Sequence, residues 1–157
     1  MVIRMHALDL KIPPGAIVLV TAVLMWLSSW AVPILGLVIP ARDVLALGIA
    51  IAGGVISILG VVSFRRAGTT VNPLTPEASS SLVLSGVYTL SRNPMYLGFL
   101  LLLLGWGIYM SNALALAFVP AFFVYINRFQ IEPEERALTS RFGQEFVSYS
   151  SRVRRWI

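Results

Sequence analysis

Two groups of polar residues stand beside long apolar runs in this chain. Residues 92–96 (Arg-Asn-Pro-Met-Tyr) lie directly before one run, and Glu134-Glu135 follow another. Asn-Pro is a helix-start signal, because asparagine caps free amide groups and proline fits the first turn. The glutamates come after Pro133, in a predicted first turn where the helix dipole favours carboxylates. A carboxylate that faces a helix start and a polar loop can grip a zwitterionic ligand, so the two groups predict a binding site.

Each of these residues also has a simpler interpretation when it is taken alone. Arg92 fits a positively charged anchor at a membrane boundary, and Tyr96 fits an interfacial aromatic side chain. The glutamate pair fits a helix first turn with no ligand at all. The prediction of a site therefore depends on the ordered set.

The composition excludes several classes of site. There is no cysteine, which excludes disulfides, thiolate metal sites and cysteine nucleophiles. The one histidine, His6, supplies too few parts for a histidine zinc site or a Ser-His triad, so no metal is expected. The net charge of +5 does not indicate nucleic acid, because the basic residues flank apolar segments and membrane topology explains them.

Apolar segments must position these residues, and the chain is 57% hydrophobic and only 12% charged. This pattern predicts an all-α, multi-pass membrane protein with about four transmembrane helices. The predicted spans cover residues 15–32, 44–64, 95–110 and 113–128. Only Ser111-Asn112 separate the last two, which predicts a tight helical hairpin.

Two pairs of glycines, each seven residues apart, predict faces on which neighbouring helices approach closely. The pairs are Gly53 with Gly60 and Gly98 with Gly105.

We expect the whole chain, 1–157, to form one membrane-embedded domain. Its predicted parts are two spans in 1–64, a cytoplasmic loop in 65–94, the hairpin in 95–128 and a cytoplasmic tail in 129–157. Apolar residues recur every three or four positions between Phe129 and Tyr149, which predicts one amphipathic helix in the tail. The basic stretch Arg152–Ile157 is expected to bind anionic lipid headgroups.

The distribution of lysine and arginine predicts the orientation in the membrane. With both termini in the cytoplasm, only Arg42 lies on the opposite side. The cytoplasmic segments then hold Arg4, Lys11, Arg65, Arg66, Arg92, Arg128 and every later arginine. This asymmetry predicts cytoplasmic termini, in the inner membrane if the source is bacterial.

From Arg65 onward the chain resembles the isoprenylcysteine carboxyl methyltransferase and phospholipid methyltransferase superfamily. The motifs that carry the resemblance are Gly86-Val-Tyr88, Arg92-Asn-Pro-Met-Tyr96-x-Gly98, the hairpin, and Glu134-Glu135 followed by Leu138, Phe142-Gly143 and Tyr149. Their order and spacing fit without an obvious gap.

The resemblance implies a methyltransferase that uses S-adenosylmethionine and releases S-adenosylhomocysteine. The cofactor would occupy a cytoplasm-facing pocket closed by the tail, and a lipophilic acceptor would enter from the bilayer. The expected partners are thus membrane lipids and this acceptor, and not nucleic acid. By position, the resemblance assigns the cofactor site to Ser80, Ser81, Leu82, Val83, Tyr88, Asn93, Pro94, Met95, Tyr96 and Glu134.

Methyl transfer from a sulfonium is a direct displacement, so the protein mainly aligns the nucleophile with the methyl carbon and the leaving sulfur. A carboxylate nucleophile needs no base, whereas a protonated amine must first lose a proton. Glu134 or Glu135 could accept that proton. Together with Arg92, they are the predicted catalytic residues.

The carboxyl methyltransferases of this superfamily have histidine where Asn93 stands and a substrate arginine where Gln130 stands. Asparagine still donates and accepts hydrogen bonds. Glutamine, in contrast, cannot pair with a carboxylate in the bidentate way of a guanidinium. Gln130 and Arg128 are the predicted substrate-binding residues. Because they are two positions apart on a helix, they are expected to point to different faces.

Three alternatives stay open. The first is N-methylation of an amine headgroup such as phosphatidylethanolamine. The second is NADPH-dependent reduction, because sterol reductases are similar in this region. The chain is short for their many spans, however, and contains no evident phosphate-binding glycine loop. The third is a non-enzymatic scaffold or transporter subunit, which the near absence of ionisable residues in the spans disfavours.

Overall fold

A computed structural model describes residues 9–68 and 81–157, and within those ranges the regular structure is entirely helical. The α-helices are α1 (Pro14–Ala31), α2 (Arg42–Arg66), α3 (Pro94–Met110), α4 (Ala113–Ile126), α5 (Glu132–Phe142) and α6 (Gln144–Arg152). Short 3-10 turns occur at Pro33–Leu35 and Gly86–Thr89, and a π-helical turn, Asn127–Ile131, joins α4 to α5. The all-α prediction is confirmed for the described residues.

Three of these helical segments are long and apolar enough to cross a membrane. They are α1, α2 and the continuous helix Ala113–Phe142. The predicted spans agree with α1 to α4 within two residues at each end. Helix α3 is equally apolar in character but has 17 residues, slightly shorter than the other three segments.

Many large apolar side chains of α1, α2 and the segment between them are exposed. Trp30 is 80% exposed, Ile34 88% and Val38 99%, and most of the apolar residues of α1 and α2 are exposed as well. In water so extensive an apolar surface would drive aggregation. It is the surface expected of an integral membrane protein.

Glycines bring α2 and α3 into backbone contact, as their spacing predicted. A Cβ atom on Gly53 would lie 2.6 Å from the carbonyl oxygen of Gly98. One on Gly105 would lie 2.8 Å from the carbonyl oxygen of Ala46, and one on Gly60 would lie 2.6 Å from Cγ of Met95. Small residues are needed on this face because the two backbones leave no room for a side chain.

The buried core lies between α1, α3 and α4. Its members are Met25, Tyr96, Leu103, Ala115, Phe122, Ile126 and Ile131. The indole N–H of Trp106 on α3 donates to the carbonyl oxygen of Ala22 on α1, at 3.1 Å, and so satisfies a polar group inside the bundle.

The predicted hairpin is present, and its turn meets the α1–α2 connection at one end of the bundle. Ser111 has a positive φ of 49°, and its carbonyl oxygen accepts from the amide of Leu37 at 2.6 Å. Asn112 caps α4, because its Oδ1 accepts from the amides of Leu114 and Ala115. The segments that carry most of the charged residues therefore gather at the opposite end.

The prediction of a single amphipathic helix over residues 129–149 is wrong. Helix α4 runs through the π-helical turn into α5 without a break. Gly143 then ends α5 with a φ of +52°, a conformation that glycine adopts more readily than other residues, and α6 begins at Gln144. The buried face of α6 consists of Phe146 and Tyr149, two of the predicted apolar positions.

The contact between α2 and α3 predicts different effects of substituting two adjacent glycines, Gly53 and Gly54. Gly53→Ala should lower the thermal unfolding midpoint in detergent, because the new methyl group meets backbone atoms of α3. Overpacking of this kind costs about 1–3 kcal/mol. Gly54→Ala should leave the midpoint unchanged or raise it, because the space beside Gly54 is open and alanine favours helix. Equal effects of the two substitutions would contradict the contact.

Candidate functional site

The hydrogen bond between Tyr96 and Glu134 lies at the centre of the charged end of the bundle. Tyr96 stands in the first turn of α3 and is 4% exposed. Its hydroxyl donates to Oε2 of Glu134 in the first turn of α5, at 3.1 Å. The structure therefore brings the two predicted polar groups together through these side chains.

Glu134 lies beyond the apolar part of its helix. The continuous helix Ala113–Phe142 has 30 residues, which makes it roughly 45 Å long, whereas the hydrocarbon core of a bilayer is about 30 Å thick. The helix is therefore longer than one crossing requires, and its last third is the polar part. Burial among protein groups raises the pKa of the Glu134 carboxyl to about 7, while the hydrogen bond from Tyr96 opposes the rise and the charge of Glu135 adds to it.

Glu135 forms an ion-pair cluster with two arginines rather than joining the Tyr96 contact. Its Oε1 lies 3.0 Å from Nη2 of Arg92, and its Oε2 lies 2.6 Å from Nη2 of Arg155. Arg92 also donates through Nη1 to the carbonyl oxygen of Ser150. Of the three residues predicted to be catalytic, the structure therefore pairs Arg92 with Glu135 and sets Glu134 apart.

Asn93 does not cap α3, contrary to the prediction. Its side chain makes no hydrogen bond to the first-turn amides; Nδ2 donates instead to the carbonyl oxygen of Arg155, at 3.0 Å. The amide of Asn93 is satisfied by Oγ of Ser91, at 3.1 Å. The asparagine therefore holds a neighbouring segment and not its own helix.

The basic stretch at residues 152–157 also differs from the expected lipid anchor. The side chains of Arg152 and Arg154 are exposed. Arg155 turns inward to Glu135, and the Trp156 indole N–H donates to Oδ1 of Asn127 at 3.2 Å. Arg155 and Trp156 thus bind other parts of the protein and are only partly exposed.

The Tyr88 side chain is buried near Glu134. It is 6% exposed, its ring packs edge-on against Phe64 at 5.4 Å, and its carbonyl oxygen accepts from the Tyr149 hydroxyl at 2.7 Å. Burial and the nearby Glu134 raise the pKa of Tyr88, while burial raises that of Tyr149 to about 12. Both phenols are therefore neutral hydrogen-bonding groups at physiological pH.

The other residues predicted for the cofactor site lie in the segment before α3 or at the start of α3. Val83 is buried, Leu82 is half-buried, and Ser81 donates to the carbonyl oxygen of Ala67 at 3.2 Å. Pro94 and Met95 pack towards α2, close to Gly60. Ser80 lies outside the described residues.

Neither of the predicted substrate-binding residues forms a hydrogen bond with Tyr96 or Glu134; each has another partner. Gln130 is fully buried, and its Nε2 donates to the carbonyl oxygen of Ile12 at 2.8 Å. Arg128 is partly exposed and pairs with Glu132 one turn on, at 2.9 Å. Their different faces on the helix follow the prediction.

Two cavities flank this end of the bundle. An apolar groove of about 310 Å³ runs between α1 and α4, with Ile12 and Tyr125 among its walls. A polar cleft of about 680 Å³ lies beside α5 and α6, lined in part by Arg92, Glu135 and Arg155. Across residues 9–68 and 81–157 there is no cluster of three or more side chains suited to hold a metal ion.

The comparisons with known proteins agree on one family. The family model described as phospholipid methyltransferase matches residues 41–145. Protein-S-isoprenylcysteine O-methyltransferase B of Arabidopsis thaliana is 31% identical over 106 residues, which cover 66% of this chain and 52% of the relative. A probable protein-S-isoprenylcysteine O-methyltransferase of Oryza sativa subsp. indica is 35% identical over 104 residues, or 66% of this chain and 54% of the relative.

A third relative is shorter than this chain. An uncharacterized protein of Haemophilus influenzae is 48% identical over 63 residues, which are 40% of this chain and the whole of that protein. The chain spans about half the length of the two plant relatives. No solved structure matches it.

Sequence reasoning missed the residues after α6. The basic stretch Arg152–Ile157 predicts lipid binding for Arg155 and Trp156, because arginines surround them. A tryptophan that ends a basic run was the available signal, since its large apolar ring favours burial and its N–H needs a partner.

The Tyr96 hydroxyl should tune the titration of Glu134. Tyr96→Phe removes the hydrogen bond that favours the ionised carboxylate, so the pKa of Glu134 should rise above about 7. Infrared spectroscopy can follow the protonated carboxyl band, assigned by its loss in Glu134→Gln. Tyr109→Phe, at the other end of α3, serves as the control and should titrate like the unchanged protein. A pKa that stays constant or falls in Tyr96→Phe would contradict the contact.

Proposed function

Because the chain belongs to the phospholipid methyltransferase family, we propose that it transfers a methyl group from S-adenosylmethionine to a lipophilic acceptor in the membrane. The observation that carries the proposal is the Tyr96–Glu134 contact, which puts a partly buried carboxylate in the first turn of α5, beside the start of α3. Such a site would hold a polar cofactor where an acceptor in the membrane can reach it.

The chemistry of the donor set fits this cofactor. S-adenosylmethionine carries an ammonium and a sulfonium, and a buried carboxylate is the side chain that compensates positive charge most directly. Glu134 would hold the ammonium end, with Tyr96 keeping the carboxylate in place. When bound, the cofactor supplies an activated methyl group with a neutral leaving sulfur.

The remaining cofactor contacts are proposed for residues near this pair. Tyr88 and Val83 are buried on the segment that leads into α3, and they would form an apolar wall against water. Leu82 would continue that wall and Ser81 would add a hydroxyl beside it, while Asn93 to Met95 would set its position through their contacts with residues after α6 and with α2. Ser80, outside the described residues, stays a predicted cofactor contact.

For the acceptor, we propose a carboxylate on a lipophilic group, as in the reaction named for the two plant relatives. A carboxylate attacks without prior loss of a proton, so the protein needs only to align it with the methyl carbon. The groove between α1 and α4 is apolar and opens beside Ile12, whose carbonyl oxygen holds Gln130. An acceptor whose tail lies in that groove would bring its polar end close to Gln130 and Arg128.

The orientation in the membrane is part of the proposal. Helix α3 would also cross the membrane, which makes four spans in all, and the end of the bundle that holds Glu134 would face the cytoplasm. The support is the distribution of arginine, since Arg42 is the single basic residue at the other end of the described helices.

A transfer assay tests the proposed function. The full chain, purified in detergent, is incubated with S-adenosylmethionine labelled in the methyl group and with three acceptors: a prenylcysteine analogue, phosphatidylethanolamine vesicles and a total lipid extract. We expect label in the prenylcysteine analogue as a base-labile methyl ester. Label in phosphatidylethanolamine alone would replace the carboxyl acceptor with an amine, and no label in any acceptor would contradict methyl transfer to lipophilic molecules.

A further inference from the structure

The five residues after α6, Val153 to Ile157, form a strap that lies across the start of α3. The carbonyl oxygen of Arg154 accepts from the amide of Arg92 at 3.0 Å. The carbonyl oxygen of Arg155 accepts from Nδ2 of Asn93 at 3.0 Å and from Oγ of Ser91 at 3.4 Å. The backbone of the strap is therefore fixed to the residues that lead into α3.

The side chain of Arg155 connects the same strap to α5. Its Nη2 donates to Oε2 of Glu135 at 2.6 Å, and its Nε donates to Oε1 at 3.3 Å. A guanidinium that binds both oxygens of one carboxylate fixes its orientation as well as its distance. Because the side chain of Arg155 is only 33% exposed, the pair is also partly shielded from water.

Trp156 holds the strap from its other side. Its indole N–H donates to Oδ1 of Asn127 in the π-helical turn, and its ring lies 4.9 Å from that of Phe123 on α4. The strap thus has three attachments: one to the start of α3, one to α5 and one to the end of α4.

We propose that Arg155 is a positioning residue of the methyl-transfer site, which holds the first turn of α5 against the first turn of α3 and so keeps Glu134 in contact with Tyr96. This inference rests on the proposed function. Arg155 touches neither Glu134 nor Tyr96; it acts through Glu135 with its side chain and through Asn93 with its backbone. A single residue therefore spans the two elements that the site joins.

The chain offers a matched pair of substitutions. Arg155→Ala removes the guanidinium but keeps the carbonyl group that binds Asn93. Arg154→Ala removes the same charge from the neighbouring residue, whose side chain is exposed. In titrations of the full chain with S-adenosylmethionine, Arg155→Ala should weaken affinity by roughly tenfold, the effect typical of losing a group that orients a binding side chain. Arg154→Ala should bind like the unchanged protein, and Arg155→Lys should recover part of the loss.

A double-mutant cycle separates a positioning role from a general loss of stability. If Arg155 acts through Glu135, then Glu135→Gln combined with Arg155→Ala should lose no more affinity than Glu135→Gln alone. Additive losses would overturn the proposal. So would an Arg155→Ala protein that unfolds at a lower temperature but binds S-adenosylmethionine with unchanged affinity.

Hydrogen exchange tests the same link without any ligand. The amides of residues 95–99 should exchange faster in Arg155→Ala than in Arg154→Ala, because α3 loses one of its connections to α5 and keeps only those of Arg92 and Tyr96. Equal exchange in the two proteins would overturn the proposal even if affinity differed. If the unchanged protein binds no S-adenosylmethionine, the proposed function fails, and the exchange comparison still decides whether Arg155 holds the two helices together.

Discussion

The contact between Tyr96 and Glu134 joins the start of one apolar helix to the polar extension of another, and the surrounding structure serves to keep these two groups at hydrogen-bonding distance. A carboxylate at this depth is costly to bury unless a donor faces it. The donor must combine an apolar body, which packs in the core, with a polar end, which reaches the carboxylate. Tyrosine has both, in its ring and its hydroxyl. The two side chains must therefore be held at hydrogen-bonding distance.

Three sets of contacts hold Tyr96 and Glu134 at this distance. Backbone contact at Gly53 and Gly98 sets the position of α3 against α2, and Tyr96 lies in the turn before Gly98. The continuous helix from Ala113 carries Glu134 out of the apolar core on the same rigid element that packs inside it. The strap then connects α3 with α5 through Arg155. Helix packing and the ion pairs at the end of the bundle therefore both fix the distance between the Tyr96 hydroxyl and the Glu134 carboxylate.

The spans, the hairpin and the glycine faces could be predicted because apolar length and small-residue spacing reflect local constraints. The pairing of Tyr96 with Glu134 was also within reach, since both lie in first turns at one end of the bundle. The role of Arg155 was not, because a basic run beside a membrane favours lipid binding unless its partner is known. That partner, Glu135, lies 20 residues away, and the turn at Gly143 that brings them together leaves only a weak signal.

Glu134 is the residue proposed to hold the cofactor. Titration of the full chain with S-adenosylmethionine, beside Glu134→Gln and Glu145→Gln, tests it most directly. Both substitutions remove one carboxylate charge, and the Glu145 side chain is exposed on α6. We expect Glu134→Gln to weaken binding by at least about thirtyfold, as for the loss of a charge partner that is shielded from water, and Glu145→Gln to bind normally. Equal affinities for all three proteins would contradict it.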